Sequence, residues 1–393
     1  MPGYDSTGSP AMTAATQQFF APCPRGLESV LAEELKGIEA STIKATHGGV
    51  HFQGNWQTCY RANLESRIAS RILWQIADQP YRTEIDIYHA TLALPWPEWF
   101  SADLTIRVNL AAIKCPLRSL DFVTLRIKDA ICDKFRQSVK QRPNVNTTTP
   151  DIRIHGFLDA QHFSLYLDTS GEALFKRGYR TAAGTAPLRE NLAAGILSLS
   201  NWQPGIPLLD PMCGSGTFLL EALQKAFNIA PGIQRHFAFE QFNQFDRESW
   251  QQIRDTALSL QHPASPQPIY GSDLHGKALD DTRTNLEAAN FLDYIHLKQA
   301  NILEISAPQP HGILITNPPY GVRLGEAQSL SALYPKLGDV FKKKFAGWTI
   351  YLFSADPLLP KSIRLSASRR TPLFNGALEC RLFKYTMVEG SMR

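Results

Sequence analysis

GILITNPPY, residues 312–320, joins an apolar run to a tetrapeptide that contains two consecutive prolines. An apolar run of this kind is typical of the last buried part of a parallel strand. The prolines hold the backbone extended and remove two N–H donors. What remains is a rigid corner with an amide side chain, backbone carbonyls and one aromatic ring, which suits a planar base bearing an exocyclic amino group. A proline-rich loop after a strand is the alternative interpretation.

A second signal lies earlier in the chain, where an apolar run ends at Leu208-Leu209-Asp210. The stretch PMCGSGT, residues 211–217, follows this run and leads into a helical pattern. Gly214 and Gly216 allow a tight turn that brings a ligand against bare backbone at the N-terminus of the helix. Dinucleotide-binding enzymes use the same turn, but Leu219 stands where their third glycine would be. The dehydrogenase interpretation is therefore disfavoured.

Together, DPMCGSGTFLLEA (210–222) and TNPPYG (316–321) resemble the class I S-adenosylmethionine-dependent amino-methyltransferases. Further stretches resemble the same family: GGVHFQG (48–54), LYLDTSGEALFKRGYR (165–180), GTAPLRENLAAGIL (184–197), FDRESW (245–250) and GSDLHGKAL (271–279). The whole chain beyond its first residues is similar to the THUMP-domain methyltransferases. Within that family it most resembles the bacterial enzymes that methylate guanine in large-subunit ribosomal RNA.

The resemblance implies an α/β fold, with a Rossmann-like methyltransferase domain whose seven-stranded sheet ends in an antiparallel hairpin. An α+β module, ferredoxin-like plus THUMP, would precede it and bind RNA. Alternating strand and helix signals agree with this order. We expect the module over residues 17–169 and the methyltransferase domain over residues 179–390, with the hairpin turning at Asn375-Gly376. The small, polar residues 1–16 predict a disordered leader.

Hydrophobic periodicity predicts the elements of the N-terminal module. Helices are expected over Gly26–Leu35, Asn63–Ala77 and Leu120–Val139. A half-buried strand is expected at Leu104–Leu110, and a hairpin closes the module near residues 151–167.

The last predicted helix lies in a basic segment, residues 114–142, where eight basic residues outnumber three acidic ones. Such a segment can contact phosphates and makes binding salt-sensitive. A solvated helix face that happens to be basic is the alternative. We expect RNA contacts from the basic residues Lys114, Arg118, Arg126, Lys128, Lys134, Arg136, Lys140 and Arg142.

The resemblance implies S-adenosylmethionine as the cofactor. Asp210 would engage the cationic amino end of this cofactor, and Asp273 would accept both ribose hydroxyls. Asn301 stands where many relatives have Asp, and its side-chain oxygen would accept a hydrogen bond from the adenine amino group. The glycine-rich turn would supply backbone N–H groups. The full predicted set is Asp210, Pro211, Gly214, Ser215, Gly216, Thr217, Asp273, Leu274, Asn301 and Asn317.

Catalysis would take place at Asn317, Pro318 and Tyr320. The Asn317 side chain and the Pro318 carbonyl would accept hydrogen bonds from the target amino group, and Tyr320 would stack on the base. These bonds orient the nitrogen lone pair and stabilise positive charge that grows on nitrogen. Val322 departs from the Gly-Glu-Arg-Leu that usually follows the tetrapeptide in the ribosomal RNA enzymes.

Composition bounds the remaining possibilities. A formal net charge of +4 over 393 residues is too small for the protein as a whole to attract nucleic acid, so any such binding must come from a local basic patch. Six cysteines without a C-x-x-C pair indicate neither a zinc site nor a disulfide framework, which is typical of a reducing cytosol. We expect no metal, no secretory signal and no membrane span. The protein is therefore expected in the cytoplasm.

The leading hypothesis is an RNA methyltransferase that modifies the exocyclic amino group (N2) of guanine in large-subunit ribosomal RNA. An adenine-N6 methyltransferase acting on DNA or RNA uses the same tetrapeptide. A protein glutamine methyltransferase also fits, because a glutamine amide offers two similar protons. An inactive RNA-binding scaffold is disfavoured because two stretches are intact: the glycine-rich turn at residues 211–217, here called the cofactor turn, and the corner at residues 316–320, here called the acceptor corner.

Overall fold

The computed structural model of the protein describes residues 15–180, 188–318 and 326–388, and only the backbone of residues 326–332. Two seven-stranded sheets organise the described chain, one in each half. Residues 1–14 of the predicted leader lie outside the described part.

The N-terminal half alternates short strands with helices around one mixed sheet of order β2-β3-β1-β4-β7-β6-β5. Its elements are β1 Gln17–Pro22, α1 Glu28–Gly37, β2 Ser41–Thr46, β3 Gly49–Gly54, α2 Trp56–Glu65, β4 Leu73–Pro80, α3 Glu84–Ala93, α4 Trp96–Trp99, β5 Ile106–Ala112, α5 Leu120–Val139, β6 Ile152–Leu158 and β7 His162–Asp168. The helix predicted over Leu120–Val139 is confirmed at both ends, and the strands β6 and β7 form the expected hairpin.

The predicted helix over Asn63–Ala77 is wrong. Helix α2 begins earlier, where the Asn55 side chain accepts a hydrogen bond from Thr58 N at 2.9 Å, and it ends at Glu65. The following residues, Leu73–Pro80, form β4, which pairs with both β1 and β7. The strand prevails because two neighbours satisfy its backbone groups, and burial in a sheet overrides local helical periodicity.

The C-terminal half alternates strand and helix as predicted. Its elements are α6 Glu190–Leu199, β8 Leu208–Asp210, α7 Thr217–Ala226, α8 Arg247–Ser259, β9 Ile269–Asp273, α9 Gly276–Ala288, β10 His296–Gln299, β11 Gly312–Thr316, α10 Glu326–Lys344, β12 Trp348–Ser354, α11 Leu359–Ile363, β13 Arg369–Asn375 and β14 Leu378–Thr386. All five residues of β11 are buried, which agrees with a strand covered on both faces.

This second sheet has the order β10-β9-β8-β11-β12-β14-β13. The first five strands in that order are parallel, whereas β14 runs antiparallel to β12 and β13. The hairpin predicted at Asn375-Gly376 is confirmed, and Gly376 takes the positive φ of 64° that its turn requires. From β8 the chain builds outward first to one side and then to the other, so the strand order reverses between β8 and β11.

The two halves share one apolar core that extends across their junction. Helix α6 approaches the N-terminal half so closely that a Cβ on Gly195 would lie 2.2 Å from Leu27 Cδ1. On another face, the rings of Tyr60 and Phe239 are 4.5 Å apart between centroids. Burial of this extent fixes the N-terminal half against the half that carries the strand ends.

Candidate active site

The carboxyl ends of β8, β9, β10 and β11 lie side by side, because these strands are parallel neighbours. Asp210 and Asp273 end β8 and β9, whereas Asn301 and Asn317 follow β10 and β11. Ligands of open α/β sheets bind at this edge, where the strand order reverses. The structure therefore brings together the residues that the sequence placed at four separate strand ends.

One hydrogen bond joins the cofactor turn to the acceptor corner. Thr316 Oγ1 donates to Asp210 Oδ1 at 2.7 Å, and both side chains are buried. Burial raises the pKa of Asp210 to about 7, and the neighbouring Asp273 contributes to the rise, while hydrogen bonds from Thr316 and Met212 N oppose it. A carboxyl group with this pKa changes charge within the physiological range.

The turn that follows β8 leaves room for a ligand. Gly214 and Gly216 have φ values of 55° and 80°, which favour glycine. A Cβ on Gly214 would meet no atom within 4 Å, whereas one on Gly216 would lie 2.9 Å from Thr282 Cγ2. Gly214 therefore faces open space, and Gly216 permits the close approach of helix α9.

Asp273 holds this turn in place. Its Oδ2 accepts a hydrogen bond from Gly214 N at 3.0 Å, and its Oδ1 accepts one from His275 N at 2.9 Å. Gly216 N donates to Cys213 O, also within the turn. The expectation that Gly214 and Gly216 offer free N–H groups is therefore wrong, because both donate within the protein. Within residues 214–216, the Ser215 amide is the one that has no acceptor among the described residues, so it is available to a ligand.

Helix α9 fixes the turn from its other side, which the sequence did not reveal. Thr282 Oγ1 donates to Gly214 O at 2.7 Å, and Asn285 Nδ2 donates to Ser215 O at 3.0 Å. Both side chains are buried and stand three residues apart, so they share one helix face. The spacing of these two polar residues was the signal that the sequence offered.

Leu274 and Asn301 flank Asp273 at the edge of the sheet. Leu274 is 56% exposed, so its side chain is available to cover a flat ligand. Asn301 Oδ1 accepts a hydrogen bond from Leu303 N at 3.0 Å, closing a local turn. That oxygen has one lone-pair direction already in use, and the Asn301 amide also offers N–H donors.

The acceptor corner continues β11 with a half-buried Asn317 and a buried Pro318. Since Thr316 is anchored to Asp210, the backbone that leads into this corner is fixed at its first residue. Tyr320, predicted to stack on the base, and Val322 lie outside the described residues. Pro211 and Thr217, at the two ends of the glycine turn, are both buried.

The segment that links the two halves also reaches the cofactor turn. Arg180 Nη2 donates to Thr217 Oγ1 at 2.6 Å and to Leu188 O at 2.9 Å, and Arg180 Nε lies 3.2 Å from Glu190 Oε1. Tyr179 donates to Glu221 Oε1 at 2.8 Å on the same helix, α7. Burial raises the pKa of Glu190, while the charge of Arg180 opposes that rise.

Comparison with known proteins identifies the family. Residues 177–384 match the family described as an RMKL-like methyltransferase domain. Residues 18–73 match an RlmL ferredoxin-like domain, and residues 81–168 match a THUMP domain. The chain belongs to the RMKL-like methyltransferase family. The fold class expected from the sequence, including both N-terminal units, is confirmed by these matches.

Several members of the family are similar over almost the whole chain. A putative RNA methyltransferase of Synechocystis is 38% identical over 96% of this chain and 98% of its own length. A ribosomal RNA large subunit methyltransferase K/L of Photobacterium profundum is 39% identical over 96% of this chain, which spans about half of that longer protein (54%). A solved putative methyltransferase complexed with SAH is 31% identical, with a TM-score of 0.86 over 95% of this chain and 98% of that one.

The chain is accordingly an S-adenosylmethionine-dependent methyltransferase. The strand ends of this RMKL-like protein suit that cofactor, because four features lie along one edge: open space in front of Gly214, a Ser215 amide without an acceptor among the described residues, the Asp273 carboxylate and the exposed Leu274. These groups match a molecule with an α-amino acid end, a ribose and a flat adenine. Among the described residues, no group of three metal-ligating side chains occurs.

The basic segment of the RMKL-like protein does not form one patch. Lys114 and Arg118 are exposed before α5, whereas Lys140 and Arg142 are exposed beyond its far end. Helix α5 has 20 residues and is therefore about 30 Å long. The single surface inferred from the sequence thus separates into two, because helical geometry spreads the charges along and around the axis.

The basic residues between these two groups are less available. Arg126, Lys128 and Lys134 are half-buried. Lys128 forms an ion pair with Asp129, and Arg136 lies 2.7 Å from Asp133. No helix in the described parts of the chain has the length and apolarity needed to cross a bilayer.

Proposed function

We propose that this enzyme transfers a methyl group from S-adenosylmethionine to the exocyclic amino group (N2) of a guanine in large-subunit ribosomal RNA. The observation that carries the proposal is the Thr316–Asp210 hydrogen bond, which ties the cofactor turn and the acceptor corner into one cleft. Residues 17–169 would form the RNA-binding module, and residues 179–390 the catalytic domain.

The RNA substrate is inferred from two features. A THUMP domain matches residues 81–168, and the relative from Photobacterium profundum is named a ribosomal RNA large subunit methyltransferase. Exposed cations at both ends of α5 provide places for phosphate contacts. An rRNA substrate would also mean that the enzyme acts where ribosomal subunits are assembled.

Bound S-adenosylmethionine supplies an electrophilic methyl group on a sulfonium. The Asn317 side-chain oxygen and the Pro318 carbonyl would accept hydrogen bonds from the two protons of the target amine. These bonds would orient its lone pair toward the cofactor and stabilise positive charge as it grows on nitrogen. No base is needed before attack, and the proton can leave to water afterwards. Because Thr316 anchors the corner, it would hold Asn317 at a fixed distance from the glycine turn.

Asp210 and Asp273 would place negative charge at the cofactor edge. Asp273 would accept ribose hydroxyls with the lone pairs that its bonds to Gly214 N and His275 N leave unused. Asp210, at the end of β8, would face the cationic amino end of the cofactor. Asn301 would contact the adenine with its amide group while its oxygen keeps the bond to Leu303 N.

The adenine-N6 alternative uses the same corner, since the Asn317 oxygen and the Pro318 carbonyl accept equally well from adenine. The identity of the methylated nucleoside therefore separates the two functions. A target base inside a duplex must be unstacked, at a cost of a few kcal/mol, so an unpaired guanine is the expected target.

The test incubates the protein with labelled S-adenosylmethionine and large-subunit rRNA from cells that lack the corresponding gene. Digestion to nucleosides and mass spectrometry should reveal N2-methylguanosine. Asn317→Ala should lower the transfer rate by about a hundredfold or more, and cofactor affinity should change less than about threefold because the lost acceptor serves the amine. Asn317→Asp keeps an acceptor and should retain part of the rate. Methyladenosine as the product, or methylated protein, would contradict the proposal.

A further inference from the structure

An exposed aromatic ring stands at the first turn of helix α5. The Ser119 side chain caps this helix by accepting a hydrogen bond from Phe122 N at 3.2 Å. The cap fixes the backbone of Phe122, whose side chain is 46% exposed. Burial in the core therefore does not account for this phenylalanine.

Phe122 begins a row of stacked and hydrogen-bonded groups along one face of α5. The Arg126 guanidinium lies 5.1 Å from the centroid of the Phe122 ring and 5.8 Å from that of Tyr88, on α3. The Tyr88 hydroxyl donates to Asp133 Oδ2 at 2.8 Å, and Asp133 is paired with Arg136. Each side chain in the row is held by the next, so Phe122 lies at the open end of a pre-organised stack.

The charges around this end favour a polyanion. Asp121, exposed beside Phe122 in the first turn, is the one acidic residue of segment 114–142 without an ion pair among the described residues, whereas Asp129 and Asp133 are each paired with a cation of the same helix. Lys114 and Arg118, in the segment that leads into α5, are exposed and have no ion-pair partner among the described residues. These two cations leave the segment with a positive balance despite Asp121, and exposed cations together with an exposed aromatic ring are the combination with which proteins bind unpaired nucleic acid strands.

We propose that Phe122, backed by Arg126 and Tyr88, is a stacking platform for an unpaired base of the RNA substrate. The inference rests on the proposed function, since it assumes that the substrate is RNA. Stacking on Phe122 would add affinity that tolerates different bases, and Lys114 and Arg118 would hold the adjoining phosphates. The platform would select single-stranded over duplex RNA, because bases within a duplex present only their edges.

The test measures binding of a short fluorescein-labelled single-stranded RNA and of the matching duplex by anisotropy. Phe122→Ala should weaken binding of the single strand about tenfold, corresponding to about 1.4 kcal/mol, and should affect the duplex little. Phe122→Trp should retain or increase affinity. Phe122→Leu, which keeps apolar area without a π face, should behave like the alanine variant. Val139→Ala is the matched control, since Val139 is also 46% exposed and ends the same helix.

The salt dependence provides a second readout. The slope of log affinity against log salt should be the same in Phe122→Ala as in the wild type, because no phosphate contact is lost. Three results would each overturn the platform: Phe122→Leu binding the single strand as tightly as the wild type, Phe122→Ala losing affinity equally for the single strand and the duplex, or Phe122→Ala losing no affinity. If the wild type methylates rRNA while Phe122→Ala binds normally, only the platform fails. Absence of RNA binding by the wild type would overturn the RNA substrate as well.

Discussion

Replacing Thr316 with valine removes one hydroxyl from the centre of the proposed cleft and changes little else. Thr316 is fully buried, and valine has nearly the same shape, so no sizeable cavity should form. The change deletes the 2.7 Å hydrogen bond to Asp210 Oδ1 and leaves Met212 N, at 3.2 Å, as that oxygen's remaining donor among the described residues. Asp210 is only 2% exposed, so water cannot readily take the place of the hydroxyl.

The expected cost depends on the charge of Asp210. Removing one partner of a buried hydrogen bond costs about 1–3 kcal/mol, with the upper part of the range for charged groups. Because the pKa of Asp210 is raised to about 7, the carboxyl is mostly neutral at pH 6 and mostly ionised at pH 8. We therefore expect Thr316→Val to cost about 1 kcal/mol at about pH 6 and about 2 kcal/mol at about pH 8.

Thermal or urea unfolding of wild type and variant at the two pH values checks this expectation. A loss of about 2 kcal/mol corresponds to about 4–8 °C in Tm for a cooperative unit the size of the catalytic half. Thr349→Val, on the neighbouring strand β12, is the control and should change stability by less than about 0.5 kcal/mol. In an Asp210→Asn background the pH dependence of the Thr316→Val effect should vanish. Equal losses at both pH values, or a dependence that survives in Asp210→Asn, would refute the reasoning.

Three further predictions concern the cofactor and the RNA. Because the cationic amino end favours the ionised form of Asp210, the affinities for S-adenosylmethionine and S-adenosylhomocysteine, which share that group, should both rise several-fold between about pH 6 and pH 8 by calorimetry. A constant affinity over this range, or the same rise in Asp210→Asn, would contradict this. Arg180→Lys should weaken cofactor binding about tenfold, because one ammonium cannot replace the contacts to Thr217, Leu188 and Glu190. Unchanged affinity would show that the segment between the two halves does not support the glycine-rich turn. Neutralising Lys114 and Arg118 together should lower the salt slope of RNA binding by about 2. Neutralising the ion-paired Lys128 should change this slope less. A larger change for Lys128 than for Lys114 and Arg118 would place the RNA elsewhere.

The sequence predicted those parts of the structure that depend on local pattern or on sheet order. Helix Leu120–Val139 has a regular apolar face and a serine cap, so both of its ends could be predicted. Asp210 and Asn317 each follow an apolar run, and parallel strands necessarily direct such ends toward one edge. The failure at Asn63–Ala77 has the opposite cause, because β4 owes its conformation to pairing with β1 and β7.

The groups that hold the site in place could not be predicted in the same way. Thr316 and Asp210 are 106 residues apart in the chain, and Thr282 is 68 residues from Gly214. Arg180 reaches Thr217 across the junction between the two halves. A threonine or an arginine within a strand, helix or linker has no local signature that names its distant partner. Only the packed structure shows that these side chains fix the two loops relative to each other.

The most direct test of the account is methyl transfer itself, followed by identification of the nucleoside. Wild-type protein, labelled S-adenosylmethionine and unmethylated large-subunit rRNA should give N2-methylguanosine at one position, and Asn317→Ala should give almost none while still binding the cofactor. Label in another nucleoside, or transfer that survives loss of the Asn317 side chain, would contradict a single cleft formed by the ends of β8 and β11.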